Sequence, residues 1–219
     1  MNNQDIAQTF AILQESKKQW QDSTLESFEK NPFFVLVGCI LSLRTKDLIT
    51  RQVAQHFFKK IQNPQQLLSY SEEEIARFIY PVGFYRRKAK SLIDISRILI
   101  KKYQSHVPST LEELLELPGV GRKTANLVLT VGFGKPGICV DTHVHRIVNR
   151  WGYVKTKTPE QTEMALRSKL PQEFWIPINS LLVLFGQNIC LPRRPHCEKC
   201  PVENFCDQVG VEKKEAQIQ

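Results

Sequence analysis

The sequence predicts an all-α protein, because helix-start signals recur along the chain and alternating strand patterns do not. A capping residue precedes a proline at three places, Asn31-Pro32, Asn63-Pro64 and Thr158-Pro159. Asn and Thr are favoured caps, and proline is favoured in the first helical turn. Two further pairs match the capping box, Ser71 with Glu74 and Thr110 with Glu113. We therefore expect about ten helices joined by short turns.

The elements follow one another in a regular order. Two apolar runs that contain β-branched residues, 35–41 and 181–184, are short and sit between helix signals, so we assign them to helices. After Arg87, apolar residues follow helical spacing at Leu92, Ile95, Leu99 and Tyr103. A further helix is expected from Thr110 to about Leu117, and another from near Arg122. The run after Asp141 predicts a helix through Trp151.

Composition limits the classes of function. The 219 residues carry a net charge of +8, which suits a polyanionic partner such as DNA or RNA. The chain lacks both an apolar run near the ~20 residues that span a bilayer and a secretory signal at its first residues. We expect an intracellular, cytoplasmic protein with no membrane association. Six cysteines in a reducing compartment are more typical of metal ligands or buried thiols than of disulfides.

Residues 111–133 predict two helices around a tight turn, 118–121, whose sequence is Pro-Gly-Val-Gly. The glycines allow unusual backbone angles and a close approach by another molecule. Free N–H groups of Gly119, Val120, Gly121 and Arg122 would bind a phosphate oxygen of DNA. This pattern is a helix-hairpin-helix. An ordinary helical corner is the alternative.

Lys123 lies in the first turn of the second helix. We expect the helix dipole, neighbouring Arg122 and partial burial to disfavour its ammonium form. A neutral amine is a nucleophile that forms a Schiff base with a sugar carbon. The local sequence is equally compatible with a lysine that only binds phosphate.

Asp141 follows Lys123 by eighteen residues and is well placed to cap the helix after it. Capping alone would explain this residue. If its carboxylate faced the Lys123 amine, it would also stabilise an oxocarbenium-like sugar or move protons. The two roles are compatible.

These two segments, LPGVGRKTAN and VDTHVHRIVNR, resemble the signature of the endonuclease III family of DNA glycosylases, and the similarity extends from about Asn31 to Cys206. The resemblance implies that Lys123 attacks C1′ of a flipped nucleotide and expels the damaged base. β-Elimination of the resulting Schiff base would then cut the strand, with Asp141 assisting. The implied partner is duplex DNA with a damaged base or an abasic site, and we expect a monomer.

Four cysteines near the C-terminus form the pattern C-x6-C-x2-C-x5-C, at Cys190, Cys197, Cys200 and Cys206. Four thiols so close together indicate a metal site, and spacing alone does not separate zinc from iron. Resemblance to the family's loop implies a 4Fe–4S cluster with a structural role. Arg193 and Arg194 would contact phosphate, unless they are simply solvated. Cys39 and Cys139 are interpreted as buried thiols.

Two further segments resemble the family's parts that meet unstacked DNA. In residues 82–89, Phe84 occupies the position of the wedge that enters the duplex, with Arg86, Arg87 and Lys88 expected on the DNA side. In residues 41–47, Arg44 stands where the family usually has a glutamine that fills the space of the flipped base, so opposite-base preference is open. A core phenylalanine and a surface arginine on a helix are the alternatives.

We divide the chain into a barrel-like helical domain, residues 23–134, and a discontinuous iron–sulfur domain, residues 1–22 with 135–219. The leading hypothesis is a glycosylase and lyase for oxidised pyrimidines. Related adenine glycosylases carry a catalytic glutamate near residues 35–41, where this chain has no carboxylate. The alternatives are a monofunctional glycosylase of the same superfamily and a non-catalytic DNA-binding module.

Overall fold

The computed structural model describes residues 1–20 and 31–212, and within these ranges it contains helices but no β-strand, which confirms the all-α prediction. Eleven α-helices lie in the described part: α1 (Asn3–Ser16), α2 (Pro32–Ser42), α3 (Asp47–Phe58), α4 (Pro64–Leu68), α5 (Glu72–Ile79), α6 (Tyr85–Tyr103), α7 (Leu111–Leu115), α8 (Arg122–Leu127), α9 (Thr142–Arg150), α10 (Pro159–Lys169) and α11 (Ile178–Asn188). In the described residues, short 3₁₀ turns follow α1, lie between α10 and α11, and occur in the segment after α11.

The predicted helix starts are present. Asn31, Asn63 and Thr158 each accept hydrogen bonds from first-turn backbone N–H groups, and a proline follows each of them. Ser71 and Glu74 form the complete reciprocal box. At Thr110 the arrangement differs, because the Glu113 carboxylate accepts from the Thr110 hydroxyl instead of the backbone N–H.

The chain divides into two compact units. We call residues 24–139 the hairpin unit, and residues 1–23 with 140–219 the cysteine unit. The domain boundaries expected from the sequence stay a prediction, because the first of them, between residues 22 and 23, lies outside the described residues. So does the end of the predicted iron–sulfur domain, from residue 213 onwards.

The hairpin unit is built around α2, whose eleven residues are almost all apolar. Eight of them are buried, so helices pack on several sides of α2. Its neighbours include α3, α6 and α8. The long helix α6 buries Leu92, Ile95 and Leu99, which confirms the helical spacing of those residues. This core supports the turns at the ends of α2, α7 and α8.

The cysteine unit packs α9 against α11, with α1 and α10 beside them. Trp151, just after α9, and Phe185, on α11, are both fully buried with ring centroids 6.2 Å apart. Phe10 of α1 meets Phe174 at 4.5 Å. This aromatic core fixes the end of α11, where the segment with the four cysteines begins.

Candidate active site

The hairpin between α7 and α8 is where the sequence placed it. Helix α7 ends at Leu115, two residues earlier than expected, and α8 begins at Arg122. The Val120 N–H donates to the Leu117 carbonyl at 3.1 Å and closes the turn. Helix α8 continues into a π-turn, Val128–Gly132, which the sequence did not indicate.

The two hairpin glycines differ in what they allow. Gly119 has φ +79°, in the left-handed region that other residues rarely adopt. Gly121 has φ −95°, and a Cβ there would meet no atom of the chain within 4 Å. The fold of the chain therefore requires a glycine at 119 but not at 121. The Val120 side chain is buried and its N–H is used within the turn, so the expectation that this N–H is free to bind phosphate was wrong.

Lys123 is exposed, so the expectation of partial burial was wrong. Its four successors on α8 are all buried, and Lys123 lies on the opposite, open side of the first turn. Its carbonyl accepts a hydrogen bond from the Cys139 thiol at 3.7 Å. Burial raises the pKa of the Cys39 thiol to about 12, and the positive charge of Lys123 acts in the opposite direction. The Lys123 side chain is therefore exposed to solvent, and its charge acts on the buried Cys39 thiol.

Asp141 caps α9, as expected. Its Oδ1 accepts from the backbone N–H groups of His143 and Val144, both at 2.9 Å. Both bonds use the same oxygen, so the cap does not occupy the second one. Lys123 belongs to the hairpin unit and Asp141 to the cysteine unit, and their pairing stays a prediction.

Arg44 and Phe84 lie together on the hairpin unit, although forty residues separate them in sequence. The Arg44 guanidinium carbon is 5.6 Å from the centre of the Phe84 ring. Both side chains are exposed, and Phe84 is 60% exposed. Phe84 is therefore not a core residue, and Arg44 follows α2 instead of lying on a helix. Both backbones are left-handed, with φ of +52° and +56°.

Lys88 was expected on the DNA side with Arg86 and Arg87, and this expectation was wrong. Arg86 and Arg87 are exposed, whereas Lys88 is 6% exposed. Its ammonium donates to the carbonyls of Leu41 and Leu43, at 2.8 and 2.6 Å. The α6 helix turns this position inward, and the acceptors come from a segment over forty residues away, so local sequence gives no signal of its burial.

Four thiols surround a cavity in the cysteine unit. Cys190, Cys197, Cys200 and Cys206 line it together with Trp151 and Phe185. All four cysteines are free thiols, so no disulfide competes for them.

The donor set suits a cationic group. Burial raises the pKa of Cys200 to about 12 and of Cys206 to about 11, and the neighbouring thiols act in the same direction. Cys200 and Cys206 therefore stay thiols near neutral pH, and a positive group in the cavity would favour their thiolate forms. Among the described residues, no three His, Cys, Asp or Glu side chains converge on one metal-ion position. A 4Fe–4S cluster does not need such convergence, since each cysteine binds a different iron.

Two arginines of α9 support this segment and were missed in the sequence. The Arg150 guanidinium donates to the Cys190 sulfur at 3.4 Å and to the Leu191 carbonyl at 2.6 Å. Arg146 donates to the Cys190 carbonyl at 2.8 Å. Their spacing of four residues, one helical turn, was the available signal. Arg193 and Arg194, inside the segment, are exposed as expected of phosphate contacts.

Comparison with known proteins gives a consistent result. Residues 37–172 match the model of the HhH-GPD superfamily base excision DNA repair protein. Endonuclease III of Thermotoga maritima is 51% identical over 179 residues, which are 82% of this chain and 84% of that protein. The region that matches the family model includes the hairpin, Lys123 and Asp141, and it ends before the four cysteines.

Two solved structures are similar over nearly the whole chain. One is a trapped covalent intermediate of endonuclease III with DNA, in an estranged-adenine complex; its TM-score is 0.84 at 32% identity, with 95% of this chain and 97% of that chain covered. The other is a thermostable thymine-DNA glycosylase, with a TM-score of 0.82 at 27% identity and coverage of 93% and 95%.

Proposed function

The chain belongs to the HhH-GPD superfamily of base excision DNA repair proteins, and on this premise we propose that it is a bifunctional glycosylase and lyase that removes oxidised pyrimidines from duplex DNA. The observation that carries the proposal is the exposed Lys123 directly after a glycine hairpin. A lysine that only packed against the fold would be covered, whereas Lys123 is exposed and the space beside Gly121 is open.

Lys123 would act as the nucleophile. Its neutral amine attacks C1′ of the extruded nucleotide, the bond from C1′ to the damaged base breaks, and the base leaves with the electron pair. Loss of the amine proton and opening of the sugar give a Schiff base. Removal of a proton from C2′ then expels the 3′-phosphate, which is β-elimination. Hydrolysis finally returns the free amine.

Asp141 would support the charge that develops on the sugar. One carboxylate oxygen holds the start of α9, which fixes the direction of the other. A rigid anion stabilises an oxocarbenium-like sugar better than a mobile one, because it needs no reorganisation during the reaction. The same oxygen is a suitable proton acceptor for the amine.

Contacts with DNA are assigned to surfaces on each unit. In the hairpin unit, the backbone N–H groups of Gly119, Gly121 and Arg122 would bind a phosphate, since the Val120 N–H already donates to the Leu117 carbonyl. Arg44 and Phe84 would enter the stack. In the cysteine unit, Arg193 and Arg194 would contact the DNA backbone.

Among the described helices, none combines the length and the apolar character that a membrane span requires. We propose a cytoplasmic location, with the nucleoid as the site of action in a bacterium.

Cys190, Cys197, Cys200 and Cys206 would hold a 4Fe–4S cluster, which would supply structural support for the segment that carries Arg193 and Arg194. A brown protein with absorption near ~400 nm is the expected sign of it. A colourless, zinc-loaded protein from anaerobic, iron-replete cells would contradict this part of the proposal.

Borohydride trapping tests the function. Reduction of the Schiff base should link the protein covalently to DNA that carries thymine glycol or an abasic site. Lys123→Ala should abolish this adduct, whereas Lys90→Ala, which changes an exposed lysine of α6, should leave it intact. An adduct that persists in the Lys123 variant would overturn the assignment.

A second candidate is a monofunctional glycosylase of the same superfamily with another lesion, which the likeness to a thymine-DNA glycosylase favours. It predicts base release without strand cleavage and without an adduct. A panel of damaged duplexes, scored for both products, separates the two candidates.

A further inference from the structure

A buried lysine lies beneath the exposed pair of Arg44 and Phe84. Lys88 is in the first turn of α6, and its three N–H donors all have acceptors: the Leu41 carbonyl, the Leu43 carbonyl and the Thr45 hydroxyl, the last at 3.0 Å. An ammonium has three donors, so its capacity is fully used. Among the described residues, none of these partners is negatively charged.

Thr45 links the hydrogen bonds of Lys88 to the segment that carries Phe84. Its hydroxyl oxygen accepts from the Gly83 backbone N–H at 3.1 Å. The two backbones are in direct contact there, since a Cβ on Gly83 would lie 2.5 Å from the Arg44 carbonyl oxygen. Lys88 and Thr45 thus join the end of α2 to the start of α6, immediately below the exposed pair.

Stability alone does not account for this arrangement. A buried cation without a counter-charge is costly, and left-handed backbone at Arg44 and Phe84 adds strain. Burial lowers the pKa of Lys88 to about 8, which reflects that cost. An exposed aromatic ring is suited to entering a base stack when the backbone that carries it is held rigidly. The wedge is then already in place before DNA binds.

We propose that Lys88 is a positioning residue for nucleotide extrusion, which holds Arg44 and Phe84 as one preformed wedge. The proposal rests on the proposed function, and Lys88 acts through the wedge without touching DNA. Loss of the hydrogen bonds of Lys88 and Thr45 should leave Arg44 and Phe84 present but mobile. Extrusion from a duplex should then slow, while chemistry at Lys123 should continue wherever no stack has to be opened.

Three variants test this proposal. Lys88→Met removes the donors and keeps the length of the side chain. Thr45→Val keeps the shape and removes the hydroxyl, and it is decisive if the first variant does not fold. Lys90→Met is the matched control, since Lys90 is exposed on the same helix. Circular dichroism and thermal melting establish that each protein is folded.

Two substrates separate extrusion from chemistry. The first is a duplex with thymine glycol beside 2-aminopurine, whose fluorescence rises on unstacking. The second is single-stranded DNA with an abasic site, scored by borohydride trapping. We expect Lys88→Met and Thr45→Val to slow the fluorescence rise and base release by about 10- to 100-fold, with trapping on the single strand unchanged. Lys90→Met should match the wild type on both.

Two results would overturn the proposal: folded variants that extrude at the wild-type rate, or variants that lose activity equally on both substrates, which would indicate a general structural role. A wild-type protein that gives no adduct with a duplex that carries an abasic site would instead refute the proposed function, so the two failures are distinguishable.

Discussion

Asp141 caps α9 and is also the proton acceptor that we propose for the reaction. The cap on α9 uses Oδ1 for both backbone hydrogen bonds. Asn caps helices about as well as Asp, because its side-chain oxygen accepts the same bonds. A change from carboxylate to amide therefore separates the structural role from the chemical one.

We expect Asp141→Asn to melt close to the wild-type temperature and to lose about 100-fold or more of base release, since a positioned proton acceptor contributes on that order. Asp141→Ala should in addition lose about 1 kcal/mol of stability with the cap. Thermal melting and single-turnover kinetics on a thymine glycol duplex measure both. An Asn variant with full activity would reduce Asp141 to a cap.

At this scale the sequence predicted what depends on neighbours in the chain. The capping role of Asp141 could be predicted because the N–H groups that it accepts from belong to the residues just after it. The burial of Lys88 was missed because its acceptors lie more than forty residues away. Lys123 was expected to be partly buried, but the exposed side of α8 is decided by how α8 packs on α2, which no local pattern gives.

The hairpin is the element in which structure and function are easiest to separate. Gly119 is needed by the chain itself, because its φ of +79° is strained for any other residue. Gly121 is not, because its backbone is ordinary and the space beside it is open. An open position of this kind beside Lys123 is consistent with the close approach of a DNA backbone.

Gly119→Ala should lower the free energy of unfolding by about 1 to 2 kcal/mol. Gly121→Ala should leave it near the wild-type value and weaken binding to an abasic duplex by about tenfold, the equivalent of one charge-assisted hydrogen bond. Urea unfolding and a fluorescence anisotropy titration at fixed salt are the measurements. If Gly121→Ala binds DNA as the wild type does, the hairpin does not meet the phosphate at this position.

Helix starts were predicted well because capping is local chemistry. Asn31, Asn63 and Thr158 cap as expected, since each side chain needs only the N–H groups of the next turn. The π-turn after α8 was not expected, because residues 128–132 are compatible with a regular helix. The start of a helix can be predicted from its capping residues, whereas an irregular turn within a helix depends on packing.

On the scale of the whole molecule, the basic charge and the proposed metal site would serve the same partner. The net charge of +8 favours binding to DNA at any sequence, and specificity has to come from the extruded nucleotide. In the cysteine unit, Arg193 and Arg194 lie between the first two of the four cysteines, and Arg150 donates to the Cys190 sulfur and to the Leu191 carbonyl. We therefore expect order in that segment to depend on what the four cysteines bind.

Cys200→Ser tests this dependence. Removing one ligand should abolish absorption near ~400 nm and increase hydrogen exchange of the backbone in residues 190–206. The hairpin unit has a separate core, so exchange in α2 and α6 should not change. Cys139→Ala is the control, because Cys139 is buried in that core and lies outside the four. The control should keep the absorption. Unchanged exchange in residues 190–206 of Cys200→Ser would mean that the segment is ordered by Arg150 and its neighbours alone, with the metal group unnecessary for its structure.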